Sequence, residues 1–382
     1  ELHWPLKTEP EPRPMHVVPE ALKSYALDLL NWLRSCKRPL VLAGVEVARF
    51  GLQSTLLQIL ERESWPVVTS LSGKSLLPEL HPQHLGVYEG AMSSRTVGER
   101  VESSDGLLIL GMPLGDLDTG IFTMSFDQDH CINVDLEHGV RWQGGQEESL
   151  DPLLLLRIWI EESQTDHSNR QSVTAACLPT TSQAKFIPDP EQGITVMRLI
   201  QAVDASLLAK DIVVADPGDA LFASADLHLP ESNDFLTSGY WASLGFALPA
   251  AVGAWGARPD HRPVVLLGDG SFLMSAVELA TLARYHIPAL IIVLDNAGYG
   301  TERPMLDGAF NDVHQIDHVG FARSMGFREA VRVSTEDELW NALQRLAPAR
   351  DSPVLISVKL PQNDCSDALS RLTEALGKRV KS

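Results

Sequence analysis

The sequence is poor in the features that mark several protein classes. It has four cysteines in 382 residues (Cys36, Cys131, Cys177 and Cys365), scattered, with no CxxC pair and no metal-ligand spacing. A disulfide framework, a zinc ribbon and a dithiol redox centre are excluded, and the four read as reduced, structural thiols of a cytoplasmic protein. No apolar run approaches the ~20 residues of a membrane-spanning helix, and no signal-peptide pattern is present. Basic residues are outnumbered, 31 Lys and Arg against 50 Asp and Glu, for a formal charge of −19. That balance speaks against nucleic acid or an anionic membrane as partner, since both require a basic surface. An anionic small molecule stays admissible, because a bound metal and backbone amides can reverse the local field. The best glycine turn of the first half, LAGVEVARFG, lacks the GxGxxG spacing, so a structural role outweighs dinucleotide binding there.

The length admits two domains with sizeable cores. Residues 1–17 are rich in proline and charge and read as a linker arm; the start at Glu1 reads as a fragment or a processed chain. A domain over 18–161 follows. Its helical patterns cover about Pro19–Ser35 and Gln53–Glu63, and its strand candidates are Pro39–Ala43, Pro66–Ser70, Gly106–Leu110 and Cys131–Val134. Residues 162–190 lose periodicity and fill with Ser, Thr, Gln and Pro, as an interdomain linker does. His167 inside it reads as solvated. The second domain, 191–382, alternates helices and strands again: a helix at about Gly193–Leu208, the strand Asp211–Ala215 and a small-residue helix over Ser238–Gly256. Further on come helices at about Val319–Met325, Glu336–Leu346 and Ser366–Leu376, with a strand at Val354–Val358. The expected fold class is α/β, two doubly wound parallel-sheet domains.

The chemistry concentrates between Val264 and Glu302. Two short, unbroken apolar runs, Val264–Leu267 and Ala289–Leu294, have the pattern of strands buried on both faces. The first ends in Gly268-Asp269-Gly270-Ser271 and the second in Asp295-Asn296-Ala297-Gly298, with a helical pattern between them. Ligands of open α/β sheets bind beyond the carboxyl ends of the strands. Asp269 offers a hard carboxylate and Asn296 an amide oxygen, the ligand types magnesium prefers. Gly270 permits close backbone approach to an anion, and Ser271 opens a helix whose N-terminus favours phosphate. GDGS alone is a weak signal. Two such turns, with 24 residues between Gly270 and Asp295, are a stronger one.

This constellation resembles the diphosphate-binding motif of thiamine-diphosphate enzymes, with Asp295 standing where the family has the first of two asparagines. The continuation GYGTERPMLDGAFNDV is similar to the 2-oxo-acid decarboxylase branch (pyruvate, indolepyruvate and phenylpyruvate decarboxylases), as is the segment Gly73–Gly90, GKSLLPELHPQHLGVYEG. The resemblance implies thiamine diphosphate and Mg2+ as cofactors, with Asp269, Asn296 and the Gly298 carbonyl on the metal and Asp295 adding a negative charge beside it. It also implies that Gly270, Ser271, Tyr299, Gly300 and Thr301 line the cofactor and that Gly218, Asp219 and Ala242 lie near its aminopyrimidine. Leu244 is the aliphatic prop that bends it. Glu302, six positions after Asn296, is the implied acid–base residue, its pKa raised by a buried site. A surface glutamate paired with Arg303 is the plain alternative. Thr301 and Met305 are expected to shape a roomy substrate pocket for an aromatic or longer aliphatic oxo acid, and the last helix to close the site.

Lys74, His81 and His84 read as loop-packing residues or the lining of an effector site; His314 and His318 read as capping or packing groups. Family members have three domains, and the first supplies an activating glutamate and a histidine pair. The sequence holds no His-His dipeptide and aligns with the central and diphosphate-binding domains alone. The expectation is a homodimer or homotetramer whose pyrimidine-binding domain comes from a missing N-terminal segment or a separate subunit. Two other readings stay open: a non-catalytic or regulatory subunit, and a carboligating thiamine-diphosphate enzyme.

Overall fold

A computed structural model describes residues 20–136, 139–142, 146–148, 150–165, 185–229, 231 and 234–381. The expected arm, residues 1–17, and His167 lie outside them. The first unit contains α1 (Glu20–Ser35), β1 (Pro39–Ala43), α2 (Glu46–Arg49), α3 (Gln53–Glu63), β2 (Val67–Ser70) and β3 (His84–Tyr88). It continues with α4 (Arg95–Glu102), β4 (Gly106–Leu110), β5 (Cys131–Asp135), β6 (Gly139–Trp142), β7 (Gln146–Glu148) and α5 (Pro152–Thr165). Its sheet runs β3-β2-β1-β4-β5-β6-β7. The apolar runs PLVLA and GLLIL become β1 and β4, buried at every residue, as central strands covered on both faces must be.

The expected α/β class with mostly parallel sheets holds, apart from one edge of this sheet. The sheet is not wholly parallel: β6 pairs antiparallel with β5, and β7 with β6. The connections between these strands are too short for a crossover helix, so the chain can only turn back on itself. β3 also lies inside the segment read as loop packing. The linker expected over 162–190 is narrower at both ends. Helix α5 continues to Thr165, and its Trp159 is fully buried, donating from Nε1 to the Ala26 carbonyl at 2.7 Å. At the other end Phe186 is buried against Trp340.

The second unit contains α6 (Val196–Ser206), β8 (Asp211–Ala215), α7 (Asp219–Ser224), β9 (Phe235–Thr237), α8 (Ala247–Ala257), β10 (Arg262–Gly268) and α9 (Asp269–Ser275). It closes with α10 (Leu279–Arg284), β11 (Leu290–Asp295), α11 (His318–Ser324), β12 (Glu329–Val333), α12 (Glu336–Leu346), β13 (Val354–Lys359) and α13 (Asp367–Lys381). All pairings in its sheet, ordered β12-β13-β11-β10-β8-β9, are parallel. From β8 the chain moves outward to β9, whereas from β10 it moves the other way to β11. The gap between β8 and β10 is therefore the topological switch point, where such sheets open a crevice for ligands. The helix read over Ser238–Gly256 begins only at Ala247; residues 238–246 form turns.

Polar contacts fasten the two units. Lys74 Nζ donates to both Glu79 carboxylate oxygens (2.8 and 2.9 Å) and to the Leu227 carbonyl (2.7 Å), while Leu229 N donates to Glu79 at 2.8 Å. From α13, Arg371 donates to the Met92 carbonyl at 2.6 and 3.0 Å.

Candidate active site

A cleft of about 310 Å3 opens at the switch point. It brings together the residues to which sequence reading assigned metal, cofactor, substrate or acid–base roles: Gly218, Asp219, Ala242, Leu244, Asp269, Gly270, Ser271, Asn296, Gly298, Tyr299, Gly300, Thr301, Glu302 and Met305. Leu117 and Ile121 add a wall from the first unit, and Leu369, Leu372, Thr373 and Leu376 of α13 form another.

Its floor is the end of β10. Asp269 is 2% exposed, and its Oδ1 accepts from the Gly270 amide at 2.7 Å. Its other oxygen, Oδ2, has no close hydrogen-bond partner, and the Ala297 and Gly298 amides act on the carboxyl only weakly. Burial pushes the carboxyl up from 3.8 to about 6; the Gly270 amide pulls it down and the charge of Asp295 adds to the rise. Asn296 sits at the end of β11 and accepts from the Gly298 amide at 3.3 Å. Two glycines are required by close approach. A Cβ on Gly270 would lie 2.4 Å from the Tyr299 ring, and one on Gly298 would lie 2.3 Å from the Asn311 carbonyl oxygen. Among the described residues no three His, Cys, Asp or Glu side chains form a metal cluster. A buried carboxylate oxygen without a partner, beside amide and carbonyl oxygens, is still a donor set that fits a hard divalent cation completed by phosphate and water.

Asp295 keeps its charge close enough to act on Asp269, and Arg332 also bonds it, at 2.7 Å, with the buried His318 ring 3.9 Å off. His318 is a packing residue: Nδ1 bonds Ser357 Oγ at 3.1 Å, its ring meets Phe272 edge-on, and burial lowers its pKa. His314 is exposed.

Asp216 was missed by sequence reasoning. Fully buried at the end of β8, it accepts from the Gly245 amide (3.0 Å) and the Ala247 amide (2.8 Å), and Ser271 bonds it as well. It thereby bonds the first amide of α8 and fixes the turn that carries Leu244 beside the Asp269–Ser271 loop. The one sequence signal is a lone acid directly after the all-apolar strand IVVA. In the same turn Ala242 is held at φ 49°. Leu244 is 39% exposed on the cleft wall. Gly218, at φ 108°, caps α7, and Asp219 accepts from the amide (2.8 Å) and hydroxyl of Ser366, tying α7 to the approach of α13. Burial pushes its carboxyl up to about 6.

Glu302 lines the cleft but is exposed, contrary to the buried setting expected for it. It sits on the irregular segment after β11. That exposure agrees with the surface setting of the plain alternative, but Arg303 pairs with Asp307 and Asp312, both at 2.7 Å, rather than with Glu302. Met305 is 60% exposed at the mouth.

Comparison with known proteins agrees with this geometry. The family model "Thiamine pyrophosphate enzyme, C-terminal TPP binding domain" matches residues 216–358, and "Thiamine pyrophosphate enzyme, central domain" matches residues 27–140. An alpha-keto-acid decarboxylase of Mycobacterium bovis is 28% identical over 378 residues, covering 97% of this chain and 67% of the relative. Its counterpart in Mycolicibacterium paratuberculosis is 31% identical over 328 residues (84% and 57%), and that of Mycobacterium leprae 29% over 379 (97% and 65%). The chain thus spans about two thirds or less of these relatives. With two family models covering well over half of its length and a switch-point cleft lined by their motif, the chain belongs to the thiamine pyrophosphate enzymes, in the 2-oxo-acid decarboxylase branch.

Proposed function

We propose that this chain is the central and cofactor-binding part of a cytoplasmic decarboxylase. It converts an aromatic or longer aliphatic 2-oxo acid to an aldehyde and carbon dioxide, using thiamine diphosphate and magnesium. The observation that carries the reading is the unpartnered Oδ2 of Asp269, a buried anion at the switch point beside Asn296 and Gly298.

When bound, thiamine diphosphate supplies the electron sink into which the carbon–carboxylate bond breaks. The chain's own residues bind, orient and move protons. Asp269, Asn296 Oδ1 and the Gly298 carbonyl would hold the magnesium. Ser271, fixed by Asp216, would border the diphosphate, and Leu244 would support the ring system. Glu302 exchanges a proton with the reacting carbon or its oxygen at the mouth of the cleft.

That role needs water excluded from Glu302, and the surface around it is built to be covered. Trp241 is 80% exposed, Leu306 68% and Phe310 65%. A homodimer or homotetramer, with the pyrimidine-binding domain supplied by a preceding segment or a separate subunit, would provide that cover. Thr301 and Met305 leave room for a large side chain. The test is aldehyde and carbon dioxide release by the complete assembly from phenylpyruvate, indolepyruvate and pyruvate. The two aromatic acids are expected to turn over faster; pyruvate exceeding phenylpyruvate would contradict the substrate assignment.

A further inference from the structure

Gly298 and Glu302 reach the cleft on one excursion of the chain, residues 297–313, between β11 and α11. Its two limbs are joined at the base. The Tyr299 amide donates to the Asn311 carbonyl (2.9 Å) and the Val313 amide to the Ala297 carbonyl (3.2 Å), while Gly298 and Asp312 form an isolated antiparallel bridge. The outer surface of the excursion is open: Glu302 is exposed, as are Met305, Leu306 and Phe310. Within it the Arg303 side chain is only 10% exposed.

The guanidinium of Arg303 acts as a fork. Nη1 donates to Asp307 Oδ1 and Nη2 to Asp312 Oδ1, both at 2.7 Å. Asp307 also accepts from the Gly308 amide (2.8 Å), and Asp312 from Gln362 Nε2 (3.1 Å), which follows β13. Nη2 lies over Gly298 as well, where an added Cβ would collide with it. One planar group thus touches the outgoing limb, the far turn and the returning limb. The single ammonium of a lysine, on its flexible stem, could not hold both carboxylates in this geometry.

Stability does not account for the arrangement. The two aspartate side chains are 57% and 54% exposed, and pairs to such groups contribute little. Arg303 Nε is buried without a partner, which works against the fold. Position does account for it. The Glu302 amide donates to the Tyr299 carbonyl (3.1 Å), and the Glu302 carbonyl accepts from the Met305 and Leu306 amides (3.0 and 3.1 Å). Residue 302 therefore moves with the limb that its neighbour pins.

We propose that Arg303 is a positioning residue: by clamping Asp307 and Asp312 across the excursion, it holds Glu302 in register with Gly298 along the cleft. The role rests on the reading of Glu302 as the proton-exchanging group.

The complete assembly is assayed on the fastest of the three oxo acids, with Glu302→Gln as the benchmark. Arg303→Gln should lower kcat about tenfold or more, because small misplacements of a reacting group are costly, while KM stays within about threefold. Arg303→Lys should not rescue the loss. The double variant Asp307→Asn/Asp312→Asn should reproduce it with the arginine in place, which covers the case that Arg303→Gln misfolds. In the full chain without cofactor, chymotrypsin should cut after Leu306 or Phe310 about tenfold faster in either variant than in the wild type. An unchanged kcat in both variants, beside an inactive Glu302→Gln, overturns the positioning role and leaves the proposed function standing. Rescue by Arg303→Lys, or cleavage at the wild-type rate, also overturns it. Full activity of Glu302→Gln overturns the reading of Glu302 itself, and the role of Arg303 with it.

Discussion

Burial lifts the Asp269 carboxyl from 3.8 to about 6, which means that the folded chain binds this proton more tightly than the unfolded chain does. Stability without divalent metal therefore falls as pH rises from about 4 through about 6, by an amount on the order of 2 to 3 kcal/mol for this group. Asp219, also raised to about 6, contributes with the same sign. Thermal unfolding at pH 5 and pH 7.5 should show the loss in the wild type and a smaller loss in Asp269→Asn. Magnesium with thiamine diphosphate should restore the wild type at pH 7.5 and leave the variant unchanged, because a cation favours the ionised carboxylate. An equal pH response in both proteins would remove Asp269 from this account. Asp295 plays a different part: Arg332 neutralises it from the far side, so it perturbs Asp269 through space without joining the donor set.

The elements differ in how far their own sequence determines them. Strands β1, β4 and β8 are legible because unbroken apolar runs suit central parallel strands. Helix α12 is legible from its amphipathic pattern, and its capping box, Thr335 with Glu338, marks the start. The Leu244 turn is not legible. Its amides are held by Asp216, 29 and 31 residues away, so no local pattern encodes where α8 begins. The β6–β7 edge was hidden by the same locality, and the exposure of Glu302 depends on what covers the cleft. Asp216→Asn tests the turn directly. Each carboxylate oxygen accepts from one backbone amide, so the new NH2 must face the N–H of Gly245 or of Ala247, which costs about 1–3 kcal/mol. Thiamine diphosphate affinity, measured by titration, should fall about tenfold or more with secondary structure retained. Unchanged affinity would mean that the turn holds its shape without the carboxylate.

Across the whole molecule, the switch point puts the cofactor cleft on an open face whose apolar rim extends over α9 and the residues after it. Met274 is 59% exposed, Val277 66% and Leu306 68%. A formal charge of −19 opposes self-association, so these side chains must supply the cohesion that brings a covering surface into place. Val277→Asp should shift the assembly toward smaller species in sedimentation measurements; an unchanged distribution would place the interface elsewhere. No helix of the described residues is long and apolar enough to cross a membrane. The most direct test of the central claim is calorimetric titration of thiamine diphosphate into the full chain, with and without magnesium, beside Asp269→Ala. The account predicts binding that requires magnesium and disappears in the variant. Binding that persists without magnesium or in Asp269→Ala, or no binding in either protein, would contradict it.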